Sequence, residues 1–310
     1  MSSRRVVVAG GSGFLGRSLA RYLLAAGYEV DVLTRAKTQS VVGNAIIWDG
    51  AIVGDWARCV DGAAAVINLT GKSVNCRYNT ENRGEITASR VNSVRAIEGA
   101  VTKAGSPPPV WIQSASLAIY GSPGADVCDE TTPEGTGFSP EVCRQWESTF
   151  NESITPSTRK VLLRIGIVLG RDGGALETLT PLARWGLGGR VGNGRQYVSW
   201  IHIEDFNRMV EMCMARPDMS GVYNATAPDP VTNAAFMRTL RHAVHRPWSP
   251  PVPAWAVRLG TVVMRTESEL ALGGRRCLPK RILEQGFDFQ HADLGAALQD
   301  ALLSAAVPGT

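Results

Sequence analysis

Near the N-terminus an apolar run breaks into glycines: Val6-Val7-Val8-Ala9-Gly10-Gly11-Ser12-Gly13-Phe14-Leu15-Gly16. Gly11, Gly13 and Gly16 have the spacing G-x-G-x-x-G. Between a strand and a helix, such a loop brings bare backbone up to an anion, and the unpaired N–H groups and dipole at the helix start hold it there. The anion that this pattern fits is a dinucleotide pyrophosphate, lying against Gly10, Gly11, Ser12, Gly13, Phe14, Leu15 and Gly16. Side chains at Gly11 or Gly13 would block its approach.

A second group selects the dinucleotide. About 20 residues past the glycines an NAD site usually presents a carboxylate to the ribose 2′-hydroxyl. This chain has Thr34-Arg35-Ala36-Lys37 instead. A hydroxyl and two cations suit a 2′-phosphate, so NADP(H) is the expected cofactor. Asp31 keeps NAD open if the second strand ends early.

The elements that must position these groups follow from periodicity. Val6 to Val8 reads as a buried strand and Val30 to Leu33 as another. Between them Leu15, Leu19, Leu23 and Leu24 recur at helical spacing over residues 14–26, and Gly27 stands where the helix should stop. Further strands are expected at Ala63 to Gly71, Val110 to Ser116 and Val161 to Gly170, with helices at Glu81 to Lys103 and Glu141 to Asn151. This alternation predicts an α/β fold, a Rossmann-like doubly wound parallel sheet. Ligands gather at the carboxyl ends of such strands, so Thr70, Ser114 to Ser116 and Gly166 to Val168 should face the cofactor. After Gly170 the composition shifts to Gly, Pro and polar residues. We therefore expect a cofactor domain over residues 1–170, joined by part of 197–226, and a smaller substrate-side C-terminal domain over 171–310.

The bulk numbers exclude several classes. The chain has 310 residues, 44% hydrophobic and 19% charged, with a net charge of +4. That is an ordinary globular balance with no nucleic-acid footprint, although Arg275 to Arg281 (RRCLPKR) is a short basic cluster. Cys59, Cys76, Cys128, Cys143, Cys213 and Cys277 form no C-x-x-C pair and have no neighbouring His at metal-ligand spacing, so reduced thiols and no metal are expected. The run VLLRIGIVLG is interrupted by Arg164 and is too short to span a membrane. A cytoplasmic protein without nucleic-acid or membrane partners, and with a homodimer as one option, is the expectation.

Several stretches, in order over nearly the whole chain, resemble one family: GGSGFLG, VINLTG, ITASRVNS, RIGIVLGRDGGAL, LGGRVGNGRQYVSWIHIEDF, GVYNATAPDPVTNAAF and CLPKRILEQGFDF. They are similar to the extended short-chain dehydrogenase/reductase superfamily of the nucleotide-sugar epimerase type, and within it to an atypical branch, the epimerase family, whose members carry a C-terminal domain of unknown function. The resemblance implies a Rossmann-like domain binding NADP(H) through the glycine loop, Thr34 and Arg35, and Leu69, Thr70 and Gly71. It also implicates Glu85, Arg90 and Val168, beside Ser114 already expected at the end of its strand. The implied activity is that of an NADP-dependent oxidoreductase or epimerase acting on a small polar, nucleotide-sugar-like substrate. A non-catalytic NADPH-binding regulator or redox sensor is the alternative.

One departure bears on the chemistry. Typical superfamily enzymes use a Ser or Thr after the fifth strand and a Tyr-x-x-x-Lys, whose Lys lowers the Tyr pKa for proton exchange with a substrate hydroxyl. Ser116 takes the first place, but the stretch that should hold the pair reads GFSPEVCRQWES. Ser139 falls near the tyrosine's place and Cys143 near the lysine's. Tyr120, four residues after Ser116, is the substitute proton donor by position, and Cys143 the lesser alternative. Arg195, Gln196 and Trp200 are the expected substrate contacts, while His202 and Asp205 read as supports of their loop.

Overall fold

β-Branched runs bounded by glycine become the middle of one sheet. The computed structural model describes residues 4–36, 41–256 and 272–303. Its central strands are β1 (Arg5–Ala9), β2 (Glu29–Thr34), β3 (Asn44–Ile47), β4 (Ala65–Asn68), β5 (Val110–Ser116), β6 (Arg159–Ile165) and β7 (Gly221–Ala225). They lie in the order β7-β6-β5-β4-β1-β2-β3, every neighbouring pair parallel. The chain runs outward from β1 in one direction, then returns to β4 and runs outward in the other. The strand order therefore reverses between β1 and β4, where a crevice opens at the carboxyl ends.

Side-chain alternation explains why both faces are covered. Val6 and Val8 of β1 point into a core with Leu19 and Leu23 of α1 (Phe14–Ala25) and with Phe206, Met209 and Val210 of α5 (Ile203–Ala215). Val7 and Ala9 point the other way, toward Val94 and Ile97 of α2 (Thr80–Lys103) and Trp146 and Phe150 of α3 (Phe138–Glu152). Period-2 alternation with apolar residues on both faces is the pattern of a sheet buried on two sides. Leu19 and Leu23 are fully buried, and each contributes roughly 1.5–3 kcal/mol, whereas Leu24, at the edge of the predicted stripe, is 40% exposed. The helix stops as expected: Gly27 takes φ +80°, and Tyr28 N–H donates to the Leu23 carbonyl at 2.9 Å.

Three details differ from the sequence reading. The expected strand at 161–170 breaks at Gly166; Ile167–Leu169 leaves the main sheet and pairs in parallel with Trp200–His202. The close approach of Ser199 requires glycine at the break, since a Cβ on Gly166 would lie 2.7 Å from its carbonyl oxygen. Val168 is thus within a short strand, not a turn. Two strands, β3 and β7, were not anticipated. Beyond β6 a smaller core forms around Leu169, Trp200, Phe236 and Leu298, drawing on α4 (Ala175–Arg184), α6 (Asn233–Ala243), and, after the short α7 (Lys280–Glu284), the C-terminal α8 (Leu294–Leu303). The basic cluster is spent on attaching this end of the chain. Arg275 Nε donates to the Gly121 carbonyl, and Arg281 lies 4.3 Å from the Tyr223 ring centroid while donating to the Ser220 carbonyl.

Candidate cofactor site

The glycine loop sits at the reversal of strand order, and its glycines serve different ends. Gly10 takes φ +76°, and a Cβ there would stand 2.9 Å from the Leu69 carbonyl. At Gly11 a Cβ would strike Val32 Cγ1 at 2.6 Å, and at Gly16 it would lie 2.4 Å from Gly11 Cα. Those positions are small because the strands and helix pack against them. At Gly11 the packing of β2 by itself already excludes a side chain. Gly13 is different. It is exposed, it has φ −77° and ψ 174°, and its nearest obstacle to a Cβ is the Gly10 carbonyl at 3.3 Å. It caps α1 without a side-chain hydrogen bond, and no acidic residue occupies the first turn. The first helical N–H groups therefore face an open cradle with nothing anionic in it.

The neighbouring strand ends line up with the loop. Gly10 N–H donates to the Leu33 carbonyl at 3.1 Å and Leu69 N–H to the Ala9 carbonyl at 2.9 Å, so the ends of β2, β1 and β4 are laced together. Thr34 is buried, its hydroxyl donating to the Ala36 carbonyl at 3.0 Å, while Arg35 is exposed beside Ile47, Trp48 and Ile52. Lys37 lies outside the described residues. Asp31 sits in the middle of β2, accepts from Asn44 Nδ2 at 2.8 Å and lies 3.9 Å from Arg5, so it is not the ribose-binding carboxylate of an NAD site.

Beneath the turn after β4 lies a buried amide network that sequence reasoning missed. Asn68, with no exposed surface, donates through Nδ2 to Ser93 Oγ (3.1 Å) and Gln113 Oε1 (3.0 Å), and its Oδ1 accepts Thr70 N–H at 3.1 Å. Gln113 passes the chain on to the Ser114 carbonyl at 2.9 Å. An Asn at the end of an apolar run was the available signal. The network fixes Leu69 to Gly71, and leaves Thr70 Oγ1 buried without a hydrogen-bond partner. Glu85 pairs with Lys72, and Arg90 donates to the carbonyls of Lys72 (3.2 Å) and Ile86 (2.9 Å) while lying over the Trp146 ring at 5.0 Å. A Cβ on Gly71 would meet the Arg90 guanidinium at 3.2 Å. Across the crevice, Phe14 is wedged against Gly170, Gly173 and Gly174, whose loop follows Val168.

The region after β5 is arranged otherwise. Ser116 Oγ accepts from Ala118 N–H at 3.2 Å and so caps the 3-10 turn Leu117–Tyr120. Tyr120 is 3% exposed; its hydroxyl donates to Asn224 Oδ1 at 2.9 Å and accepts from Arg164 at 2.9 Å. Burial pushes its pKa up to about 12. Arg164 also clamps Glu147 with Nε and Nη2 at 2.8–3.3 Å, and Asn224 donates to the Leu278 carbonyl at 3.0 Å. Tyr120 is therefore committed to a buried network, which corrects its placement as a group facing substrate. Cys143 is also buried, its thiol pushed up to about 12 chiefly by burial and then by Glu147. Among the expected substrate contacts, Arg195 is exposed, but Gln196 Nε2 donates to the Val191 carbonyl at 3.1 Å. Trp200 has no exposed surface and donates to the Asp229 carbonyl at 3.1 Å, so it belongs to the core.

Known proteins share this fold. Residues 6–141 match the NAD dependent epimerase/dehydratase family, and residues 252–301 match a domain of unknown function, DUF1731. The chain is 33% identical over 304 residues to the epimerase family protein SDR39U1 homolog, chloroplastic, of Arabidopsis thaliana, covering 96% of this chain and 86% of that one. It is 33% identical over 300 residues to the human epimerase family protein SDR39U1, covering 96% and 99%. The crystal structure of human SDR39U1 (isoform 2) with NADPH superimposes at a TM-score of 0.85 with 32% identity, over 96% of this chain and 98% of that one. A nucleoside-diphosphate sugar epimerase from Corynebacterium glutamicum superimposes at 0.78 with 26% identity, over 97% of this chain and 58% of that one. The chain belongs to the epimerase family. Among the described residues no helix is long and apolar enough to cross a membrane.

Proposed function

We propose that this chain binds NADP(H) in preference to NAD(H) and uses it as an oxidoreductase or epimerase on a small polar substrate of the nucleotide-sugar kind. The observation that carries the cofactor is the open cradle at Gly13, where unpaired helical N–H groups face a space that a side chain would fill. Thr34 and Arg35 at the end of β2 would take the 2′-phosphate, since Asp31 is turned to Asn44, and the orphaned Thr70 hydroxyl would gain a partner. The human relative crystallised with NADPH supports the same reading.

When bound, a nicotinamide supplies hydride transfer. The protein's part is to hold the substrate and manage a proton. Ser116 is the group we assign to the substrate oxygen: its Oγ accepts from Ala118 but retains its own O–H to donate. Tyr120 holds the turn that presents Ser116. Fluorescence titration tests the cofactor choice. NADPH should bind more tightly than NADH, and Arg35→Ala should narrow that gap by about 1–3 kcal/mol; equal affinities in the parent would remove the assignment.

One observation favours a second reading, a non-catalytic NADPH-binding regulator. α3 carries neither Tyr nor Lys, and the nearby Tyr120 and Cys143 are buried. NADPH consumption with a panel of carbonyl compounds and nucleotide sugars separates the two: turnover that Ser116→Ala reduces by about 10²–10³-fold supports the enzyme, and tight binding without turnover supports the regulator.

A further inference from the structure

We propose that His202, Glu204, His291 and Asp300 bind one divalent cation of the zinc type, fastening the C-terminal helix α8 to the start of α5. Each residue offers one ligand atom, and these atoms all lie within 4.8 Å of one another. His202 Nε2 stands 3.3 Å from Asp300 Oδ2, and His291 Nε2 stands 2.9 Å from Glu204 Oε2. Zinc held at its usual distances to nitrogen and oxygen spaces neighbouring tetrahedral ligands by about 3.3 Å, so the set forms when the widest pair closes by up to about 1.5 Å and the His291–Glu204 pair opens slightly.

A second observation points into the same space. The His202 side chain is 3% exposed, and its Nε2 is buried and makes no hydrogen bond despite the nearby Asp300 carboxylate. The two imidazole rings lie 3.8 Å apart between centroids, inclined at 33°, and each has its Nε2 beside one of the two carboxylates. Backbone bonds hold them there: Asp205 accepts the N–H groups of Gln290 and His291, each at 2.9 Å, tying the segment before α8 to α5.

Metal on Nε2 would move the ring proton of His202 to Nδ1. That nitrogen now accepts Glu204 N–H at a long 3.3 Å; once protonated it would face a second donor, so this weak helix-capping bond is given up and the first turn of α5 must shift for Nδ1–H and Glu204 N–H to find other acceptors, a cost that the metal–nitrogen bond has to exceed. Two imidazoles with two carboxylates suit zinc better than calcium or magnesium, which prefer oxygen alone. With all four positions taken by protein, the site is of the closed, structural kind. The sequence conceals it because its ligands come from two distant segments, with no short-range spacing to recognise.

The test uses the untagged full-length chain, stripped with a chelator, equilibrated with Zn²⁺ and desalted. We expect one zinc per chain by elemental analysis, and with Co²⁺ the visible absorption of a four-coordinate site lacking a thiolate charge-transfer band. His291→Ala and the half-exposed Asp300→Asn should each weaken zinc binding by roughly 100-fold or more, at least the loss seen on removing an outer-shell partner, with unchanged circular dichroism. A parent that retains no zinc, a Co²⁺ spectrum with a thiolate band, or Asp300→Asn binding within about tenfold of the parent would each overturn the proposal.

Discussion

The start of α1 and the turn after β5 stand at the same edge of one sheet, yet they treat polar groups in opposite ways. At α1 the first N–H groups are left unpaired and Gly13 keeps the space above them open. After β5 every polar group of Tyr120, Arg164 and Asn224 that could face outward is bonded to another within the fold. An unmet donor at a surface is inexpensive and available to a ligand, whereas a buried charged set is stable only when complete. Open donors and structural reinforcement have thus been divided between two strand ends of one sheet that only β4 separates.

The largest expected effect comes from breaking the closed side. Glu147→Ala strands Arg164, which is 7% exposed, and should lower the unfolding free energy by about 3–5 kcal/mol in a urea titration. NADPH affinity of the protein that remains folded should be unchanged. A stability loss under about 1 kcal/mol would mean that water reaches the pair and that the contrast with α1 is one of degree.

The glycines sharpen the comparison from the open side. Gly13→Val should abolish NADPH binding while the apoprotein keeps its melting temperature, because only the Gly10 carbonyl at 3.3 Å is near. Gly11→Ala should do the converse: it presses on Val32 and should destabilise by about 1–3 kcal/mol. If Gly13→Val binds NADPH like the parent, the cofactor lies elsewhere.

The smallest effect is a pH dependence of the closed interior. Burial, the first cause at each, pushes the thiols of Cys59, Cys143, Cys213 and Cys277 up from 9.0 to about 12. In the folded protein they keep protons that an unfolded chain releases near 9. Their contribution is therefore fully present below pH 9 and is lost as pH rises toward 12, so urea midpoints should fall over that window and not below it. A Cys213→Ala variant should show a shallower fall; a midpoint flat from pH 8 to 10.5 would contradict the burial of these groups.

What could be read from the sequence was whatever depends on local pattern. The glycine loop, the apolar runs of β1, β2, β4 and β5 and the helices α1 to α3 each announce themselves within one segment. β3 escaped notice because Asn44–Ile47 is a half-exposed edge strand with no alternation, and β7 because Gly221–Ala225 carries Asn224 where an apolar residue would be expected. Arg164 was read only as an interruption of an apolar run. Its partner Glu147 lies on a different element, and the demand that a buried cation have a carboxylate was the unused clue. Tyr120 was misplaced for a related reason: nearness to Ser116 in the chain says nothing of which way a hydroxyl turns when Asn224 arrives from β7.

The break at Gly166 has a consequence for how the chain becomes a protein. Past that break the chain forms α4, the Trp200–His202 strand and α5 before it returns to cover β6 with β7. A nascent chain that has emerged only to residue 170 therefore carries β6, with its run Val161-Leu162-Leu163, as an uncapped edge able to add any passing strand. Truncation at 170 should yield an aggregating fragment, and extension through Ala225 should relieve it. The sheet that carries the proposed cofactor site is therefore completed late in synthesis.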